Sequence, residues 1–251
     1  MIDELERLAR FFPSDKPLYA VGGCVRDKIM GRSGGDIDLT SACRPEEIMP
    51  FVKQAGMTCK QGSLRLGTVL IKGKGCYEYT SFRVDSYPAG SGVHRPDAVR
   101  FTDDMSEDAR RRDFTVNAIY LNIANGKITD LLGGEADIEN KILRTVDDPY
   151  RVLGEDGLRI MRLYRFVSTL GFDVEENTAK AAKELSGRLK DIAPERIREE
   201  LIKTLHGDYA GKALYGLMDS GALNVIMPEL ALNYGVRQKP QYHEYDVFGH
   251  T

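Results

Sequence analysis

At 251 residues, 42% hydrophobic and 29% charged, the chain has the composition of a folded protein and excludes a disordered or fibrous one. A net charge of −3 supplies no global positive field, so any polyanion must be met by a local basic patch. No apolar run approaches the ~20 residues needed to span a bilayer. The acidic amphipathic opening MIDELERLARFF lacks the basic start and apolar core of a secretion signal, so a cytoplasmic protein with no membrane association is expected.

In chain order, that opening predicts a helix. LYAVGG ends an apolar run at a glycine turn, and CVRDKIMG is a short helix closed by Gly31. DIDLT alternates as a strand, and RPEEIMPFVKQAG is a helix. GTVLIKGKGCYEYTSFRV predicts a hairpin turning at KGKG. Residues 85–106, rich in Gly, Pro, Ser and Asp, predict a mobile loop. EDARRRDFTVNAIYL follows as a helix, then NGKITDLLGG as a hairpin-like stretch. Beyond about Asp147 every segment has a helical pattern and no strand signal survives. The expected fold class is α+β, with a head over 1–146, a helical neck over 147–205 and a helical body over 206–251. Cys24, Cys43, Cys59 and Cys76 form no C-x-x-C pair and are expected as buried free thiols.

The stretch YAVGGCVRDKIMGRSGGDIDLTS carries the first chemical signal. Strand side chains alternate, so Asp36 and Asp38 share a face. Neighbouring carboxylates repel unless a cation lies between them, and oxygen donors of this kind suit Mg²⁺. Gly22 and Gly23 let backbone amides approach a phosphate at the start of the following helix. Arg26, one turn on, can add a charge-assisted bond to a phosphate oxygen. A triphosphate bridged by metal to Asp36 and Asp38 is a nucleotidyl-transfer arrangement. Glu78 is the candidate third carboxylate, on a strand face with Cys76 and Thr80; an exposed glutamate paired with a lysine fits the pattern equally well.

Two arginine-rich segments follow. In ARRRDFTVNA, Asp113 can orient a neighbouring guanidinium and Asn117 lies one turn further on the same face. Arg112, Asp113 and Asn117 are therefore candidates for a ribose hydroxyl and a phosphate. In GEDGLRIMRLYRF, Leu153, Ile160, Met161, Tyr164 and Val167 collect as a packing face. Asp156, Arg159, Arg162 and Arg165 sweep along the other side, with Glu155 placed to orient Arg159. A solvated charged face is the ordinary reading of such a pattern, but these residue types also match a base edge. A carboxylate accepts from the amino group of cytosine or adenine while an arginine donates to the ring nitrogen. Uracil and guanine would leave both groups mispaired, at roughly 1–3 kcal/mol each. Arg162 and Arg165 remain for triphosphate or for an RNA strand.

Together GGCVRD with DID, RRDFTVNA, DLLGGEADIENKILR and EDGLRIMRLYRF resemble the class II tRNA nucleotidyltransferases, namely the CCA-adding enzymes and the bacterial poly(A) polymerases. The match runs from about Tyr19 to Ala231, and APERIREEL resembles the element that supports the family's nucleotide-binding helix. The resemblance implies a nucleotidyltransferase head of the DNA polymerase β superfamily followed by helical neck and body. It implies two Mg²⁺ ions on the catalytic Asp36 and Asp38, with Gly23 and Arg26 on the triphosphate. Arg112 would meet the sugar and phosphate, Asp156 with Arg159 the C or A base, and Arg162 with Arg165 the same nucleotide site. CTP and ATP would be the substrates, and the 3′ end of tRNA or an acceptor-stem minihelix the acceptor; no protein partner is implied. The segment at 85–106 stands where family members carry an element linked to the change from CTP to ATP, which favours CCA addition over CC addition. A-adding or CC-adding enzymes and poly(A) polymerases share these motifs, and an inactive RNA-binding module is the alternative of a different class. QYHEYDVFGHT resembles the first lines of an HD phosphohydrolase domain, but no H-D pair follows, so His243 and His250 are taken as solvated and not as a metal site.

Overall fold

The computed structural model of the chain describes residues 2–32, 34–87 and 98–250. The chain divides after Asp147 into two compact units. In the first, α1 (Ile2–Ala9), β1 (Tyr19–Val21), α2 (Gly23–Ile29), β2 (Asp38–Ser41), α3 (Pro45–Gln54), β3 (Thr58–Gln61), β4 (Thr68–Lys72) and β5 (Cys76–Ser81) follow in order. Next come β6 (Arg83–Ser86), β7 (Ala98–Phe101), α4 (Met105–Arg110), β8 (Ile119–Asn122), β9 (Ile128–Asp130), α5 (Gly134–Glu139) and β10 (Ile142–Leu143). Seven strands form one sheet in the order β3-β4-β5-β2-β1-β8-β9. Every pair in it is antiparallel except β2 with β5.

The pleat sorts the side chains of this sheet. Leu39, Val69, Ile71, Tyr77 and Tyr79 point to one face and pack with Leu5 and Leu8 of α1 and Ile48 and Val52 of α3. Asp38 and Glu78, in register opposite one another on β2 and β5, are exposed on the other face. The apolar core thus forces the two carboxylates outward.

Several elements differ from the sequence pattern. The helix expected through EDARRRDFTVNAIYL ends at Arg110, gives a 3-10 turn at Thr115–Asn117 and continues as β8. Phe114 bridges to Thr145, the Thr115 amide donates to the Arg144 carbonyl, and β8 pairs with both β1 and β9. Sheet pairing of Ile119 and Tyr120 overrides the helical pattern there. The flanks of the expected loop at 85–106 are ordered as an antiparallel ribbon of β6 and β7, and its middle, 88–97, lies outside the described residues. β3 and α5 had no clear signal. Only Cys43 is buried; Cys24 and Cys59 are half-buried and Cys76 is exposed, because Cys76 shares the outward face of β5.

The second unit contains α6 (Pro149–Glu155), α7 (Leu158–Leu170), a two-residue strand β11 (Asp173–Val174), α8 (Glu176–Glu184), a 3-10 segment Ser186–Asp191 and α9 (Pro194–Leu205). It continues with α10 (Ala210–Asp219), α11 (Ala222–Ile226), α12 (Pro228–Ala231) and α13 (Val247–His250). α7 packs against both α9 and α10 and is buried on nearly every side. No helix among the described residues is long and apolar enough to cross a membrane.

One buried carboxylate ties the first helix to the sheet. Glu4 accepts bonds from the Tyr77 hydroxyl at 2.5 Å and from the amides of Lys74 at 2.8 Å and Gly75 at 3.1 Å. Burial pushes its pKa up, but the Tyr77 hydroxyl and the two amides outweigh that and hold it below the usual value. A carboxyl lowered in this way stabilises the fold above its unfolded pKa of about 4.3, and the contribution is lost as pH falls through the lower folded value. Glu4→Ala is expected to cost about 2–4 kcal/mol in urea unfolding at neutral pH, with the gap to wild type narrowing in acid. A gap below about 0.5 kcal/mol would show that the tie is not needed.

Candidate functional site

β1 delivers the chain to Gly22, whose φ of 82° and ψ of −140° are open to glycine and strained for other residues. Space does not demand glycine, since a Cβ there would sit 3.5 Å from Asp38 Oδ2, an ordinary contact; the backbone angle does. α2 starts at once, with the Val25 and Arg26 amides donating to the Gly22 carbonyl. The glycine turn therefore lies directly beside the Asp38 carboxylate. Asp36 is exposed but precedes β2, which begins at Asp38, so the expected strand alternation does not reach it. Burial pushes the Cys24 thiol up; the Asp38 backbone amide opposes this and the Asp38 charge adds to it.

Three candidates from two separate segments meet. Arg26 donates through Nη1 to Asn117 Oδ1 at 2.7 Å, and Asn117 Nδ2 donates to Asp113 Oδ1 at 3.2 Å. All three are buried, and Arg26 also pairs with Asp27 at 2.8 Å. The link between Asp113 and Asn117 expected from a shared helix face exists, but a 3-10 turn creates it.

Arg112 is organised by a residue that the motif reading passed over. Asp108 is fully buried and accepts from Arg111 Nε at 2.7 Å, Arg112 Nη2 at 3.0 Å and the Tyr120 hydroxyl at 2.7 Å. The Arg83 amide of β6 reaches the same carboxylate at 3.3 Å. Burial raises its pKa, but Arg111, Arg112 and Tyr120 together hold it well below the usual carboxylate range. The i,i+3 and i,i+4 spacing of Asp108 to Arg111 and Arg112 was available in the sequence as a signal.

In the second unit the helix expected through GEDGLRIMRLYRF is interrupted. α6 ends at Glu155, Asp156 is extended with φ −140° and ψ 101°, and α7 starts at Leu158. Asp156 therefore stands on a turn and not on a helix face, since two glycines and a capping carboxylate favour a break. Its Oδ1 accepts from the Leu158 amide at 3.0 Å. Arg159 donates to the Val152 carbonyl at 3.0 Å and lies 3.7 Å from Glu155. Asp156 and Arg159 are each only 6% exposed, so the solvated charged face that such a pattern ordinarily gives is not what the chain forms there. Arg165 pairs with Glu200 of α9 at 2.6 Å and lies over the Phe166 ring, which Arg162 also faces. Glu200, 35 positions away, carried no local signal toward Arg165.

Asp36, Asp38 and Glu78 offer the hard oxygen donors that Mg²⁺ takes. Among the described residues, no group of three His, Cys, Asp or Glu side chains is gathered closely enough to hold an ion. His243 and His250 face one another edge-on at 5.4 Å, while the intervening Asp246 is engaged by the amides of Gly235 and Gly249.

This sheet, with a glycine turn beside an exposed carboxylate and a helical second unit, is that of a nucleotidyltransferase head followed by helices. Residues 18–144 match the family model of the poly A polymerase head domain, so the chain belongs to that family. Residues 171–233 match the model described as "Probable RNA and SrmB-binding site of polymerase A". The CCA-adding enzyme of Lactobacillus helveticus is 40% identical over 214 residues, covering 85% of this chain and 52% of that protein. That of Geobacillus sp. (strain WCH70) is 42% identical over 213 residues, with shares of 84% and 51%. The solved Bacillus stearothermophilus CCA-adding enzyme in complex with CTP superposes with a TM-score of 0.76 at 34% identity, covering 88% of this chain and 51% of that one. The chain spans about half the length of the curated relatives it matches.

Asp108→Asn removes the buried negative charge that Arg111 and Arg112 share and is expected to cost about 3–5 kcal/mol in denaturant unfolding at neutral pH. Because the folded pKa is depressed, that deficit persists down to about pH 4 and shrinks only as acid protonates the wild-type carboxyl. A variant as stable as wild type at pH 7 would remove Asp108 as the organiser of Arg112.

Proposed function

We propose that this chain carries out CCA addition to tRNA 3′ ends from CTP and ATP, with protein side chains in place of a nucleic-acid template. The observation that carries the reading is the turn at Glu155–Arg159, where two charged side chains are buried and each is fixed by a backbone bond. A carboxylate and a guanidinium held so firmly can favour one hydrogen-bonding pattern over its inverse. Similarity to CCA-adding enzymes, including one solved with CTP, supports the same reading.

Asp36 and Asp38 would hold Mg²⁺, and Glu78 lies in register with Asp38 on the neighbouring strand. Bound there, Mg²⁺ would supply positive charge that lowers the pKa of the attacking hydroxyl and steadies the leaving pyrophosphate. The amides at Gly22 and Gly23 and the buried Arg26 would bind the triphosphate, and Asn117 with Asp113 would keep Arg26 in one rotamer. Arg112, steadied by Asp108, would meet the sugar and phosphate region. Arg162 and Arg165 would add positive charge at the same nucleotide, with Glu200 fixing Arg165. In the transfer itself, the RNA 3′-oxygen forms a bond to the α-phosphorus as the bond to the pyrophosphate oxygen breaks, and the hydroxyl proton passes to solvent. Asp156 would accept from the amino group of C or A and Arg159 would donate to the ring nitrogen. The expected compartment is the cytoplasm.

Primer extension tests this on tRNA ending at the discriminator base, at C or at CC, with each nucleotide alone and with CTP plus ATP. CCA addition predicts CTP use on the first two ends, ATP use on the third, and no use of UTP or GTP. Asp38→Asn is expected to lower the rate at least about 100-fold with nucleotide binding retained. ATP use only, or CTP use only, would reassign the chain to A-addition or CC-addition. Long A-tracts on unrelated RNA would reassign it to poly(A) synthesis, and no incorporation together with RNA binding would make it an inactive binding module.

A further inference from the structure

Arg188 belongs to none of the motifs that suggested the function. It lies in the 3-10 segment Ser186–Asp191, anchored by the buried Leu189. Its Nη2 donates to the Gly154 carbonyl at 3.2 Å. Its own carbonyl oxygen and Cβ lie 3.2 and 3.3 Å from the point where a Cβ on Gly157 would stand. One residue therefore touches both glycines that bracket Glu155 and Asp156. Any side chain at position 157 would press on the Arg188 backbone, so the close fit is built from both sides.

The contact has a clear physical use. Gly154 is in the last turn of α6, where carbonyls lack an intrahelical donor and a positive charge is favourable. Beyond it the chain leaves helical geometry at Asp156, so the ladder of α6 does not fix where Asp156 points. Arg188 supplies a bond from outside the turn, and the Asp191 carboxylate lies 3.9 Å from its guanidinium. Glu155, next to the held carbonyl, is the ion-pair partner of Arg159. A donor more than thirty positions away in sequence thus braces the backbone directly before Glu155 and Asp156.

We propose that Arg188 is a positioning residue that sets the geometry of the Asp156 and Arg159 pair, and through it the preference for C and A over U and G, without touching the nucleotide. This rests on the reading that the pair meets the base. Small displacements of recognition groups weaken a matched hydrogen-bond pattern more than they weaken triphosphate binding. Loss of Arg188 therefore falls on discrimination.

The test compares wild type, R188M, R188K and R188Q for kcat/KM with CTP against UTP on tRNA ending at the discriminator base, and for equilibrium binding of CTP against UTP without RNA. In R188M the CTP-to-UTP ratio is expected to fall roughly 5- to 20-fold in both readouts, while affinity for inorganic triphosphate is unchanged. R188K and R188Q, which keep a donor, should recover part of the ratio, an ordering that a purely structural role would not produce. A folded R188M with wild-type selectivity overturns the proposal. If R188M does not fold, wild-type ratios in both R188K and R188Q overturn it, and graded losses in the two support it. A wild-type chain that neither binds nor incorporates C and A selectively instead defeats the functional reading on which the proposal rests.

Discussion

The head depends on a single buried charge. Asp108 is sealed from solvent and is bonded at once to Arg111, Arg112, Tyr120 and the backbone of β6. A carboxylate cannot stay ionised in such a place without cations against it, and those cations cannot stay there without the carboxylate. Loss of one member therefore weakens the hold on the others. The group joins α4 to β8 and β6, three elements that local sequence does not connect. Asp85 reaches Arg83 at 2.8 Å and Arg111 at 3.7 Å, which carries the network on into the ribbon of β6 and β7.

The same principle recurs at four of the candidate functional side chains. Arg26 is held by Asn117, Arg165 by Glu200, Arg159 by a backbone carbonyl, and Asp156 by the amide it caps. Long charged side chains lose rotamer freedom when they bind, and fixing them beforehand removes that cost from recognition. The cost moves into folding, where each fixed guanidinium needs an acceptor inside the core. That requirement explains why so many polar groups are buried in a chain of ordinary composition.

The strongest signals in the sequence were those whose geometry is local. Gly22 was legible because its backbone angle excludes most other residues, and the exposed Asp38 because strand alternation places it opposite Leu39. The hairpin of β4 and β5 followed from alternation around a glycine turn, and the α+β class from the change of pattern along the chain. The segment after Arg110 was misjudged because the same residues fit a helix in isolation and a sheet strand once β1 and β9 lie alongside. The break at Asp156 was missed because the charged residues repeat at helical spacing across it. Asp36 falls outside β2, whose pairing with β1 and β5 begins at Asp38.

By itself, the sequence determined which chemical groups this protein has, in what order, and on which face of a regular strand each would fall. Those are matters of residue type and of backbone periods of about 2 and 3.6 residues. Only the tertiary structure decided which partner each charge meets: Arg26 with Asn117 across 91 positions, Glu4 with Tyr77 across 73, Arg165 with Glu200 across 35 and Arg188 with Gly154 across 34. The reason is that a buried charge takes its partner from whatever the packed core brings within bonding distance, and distance along the chain places no limit on that.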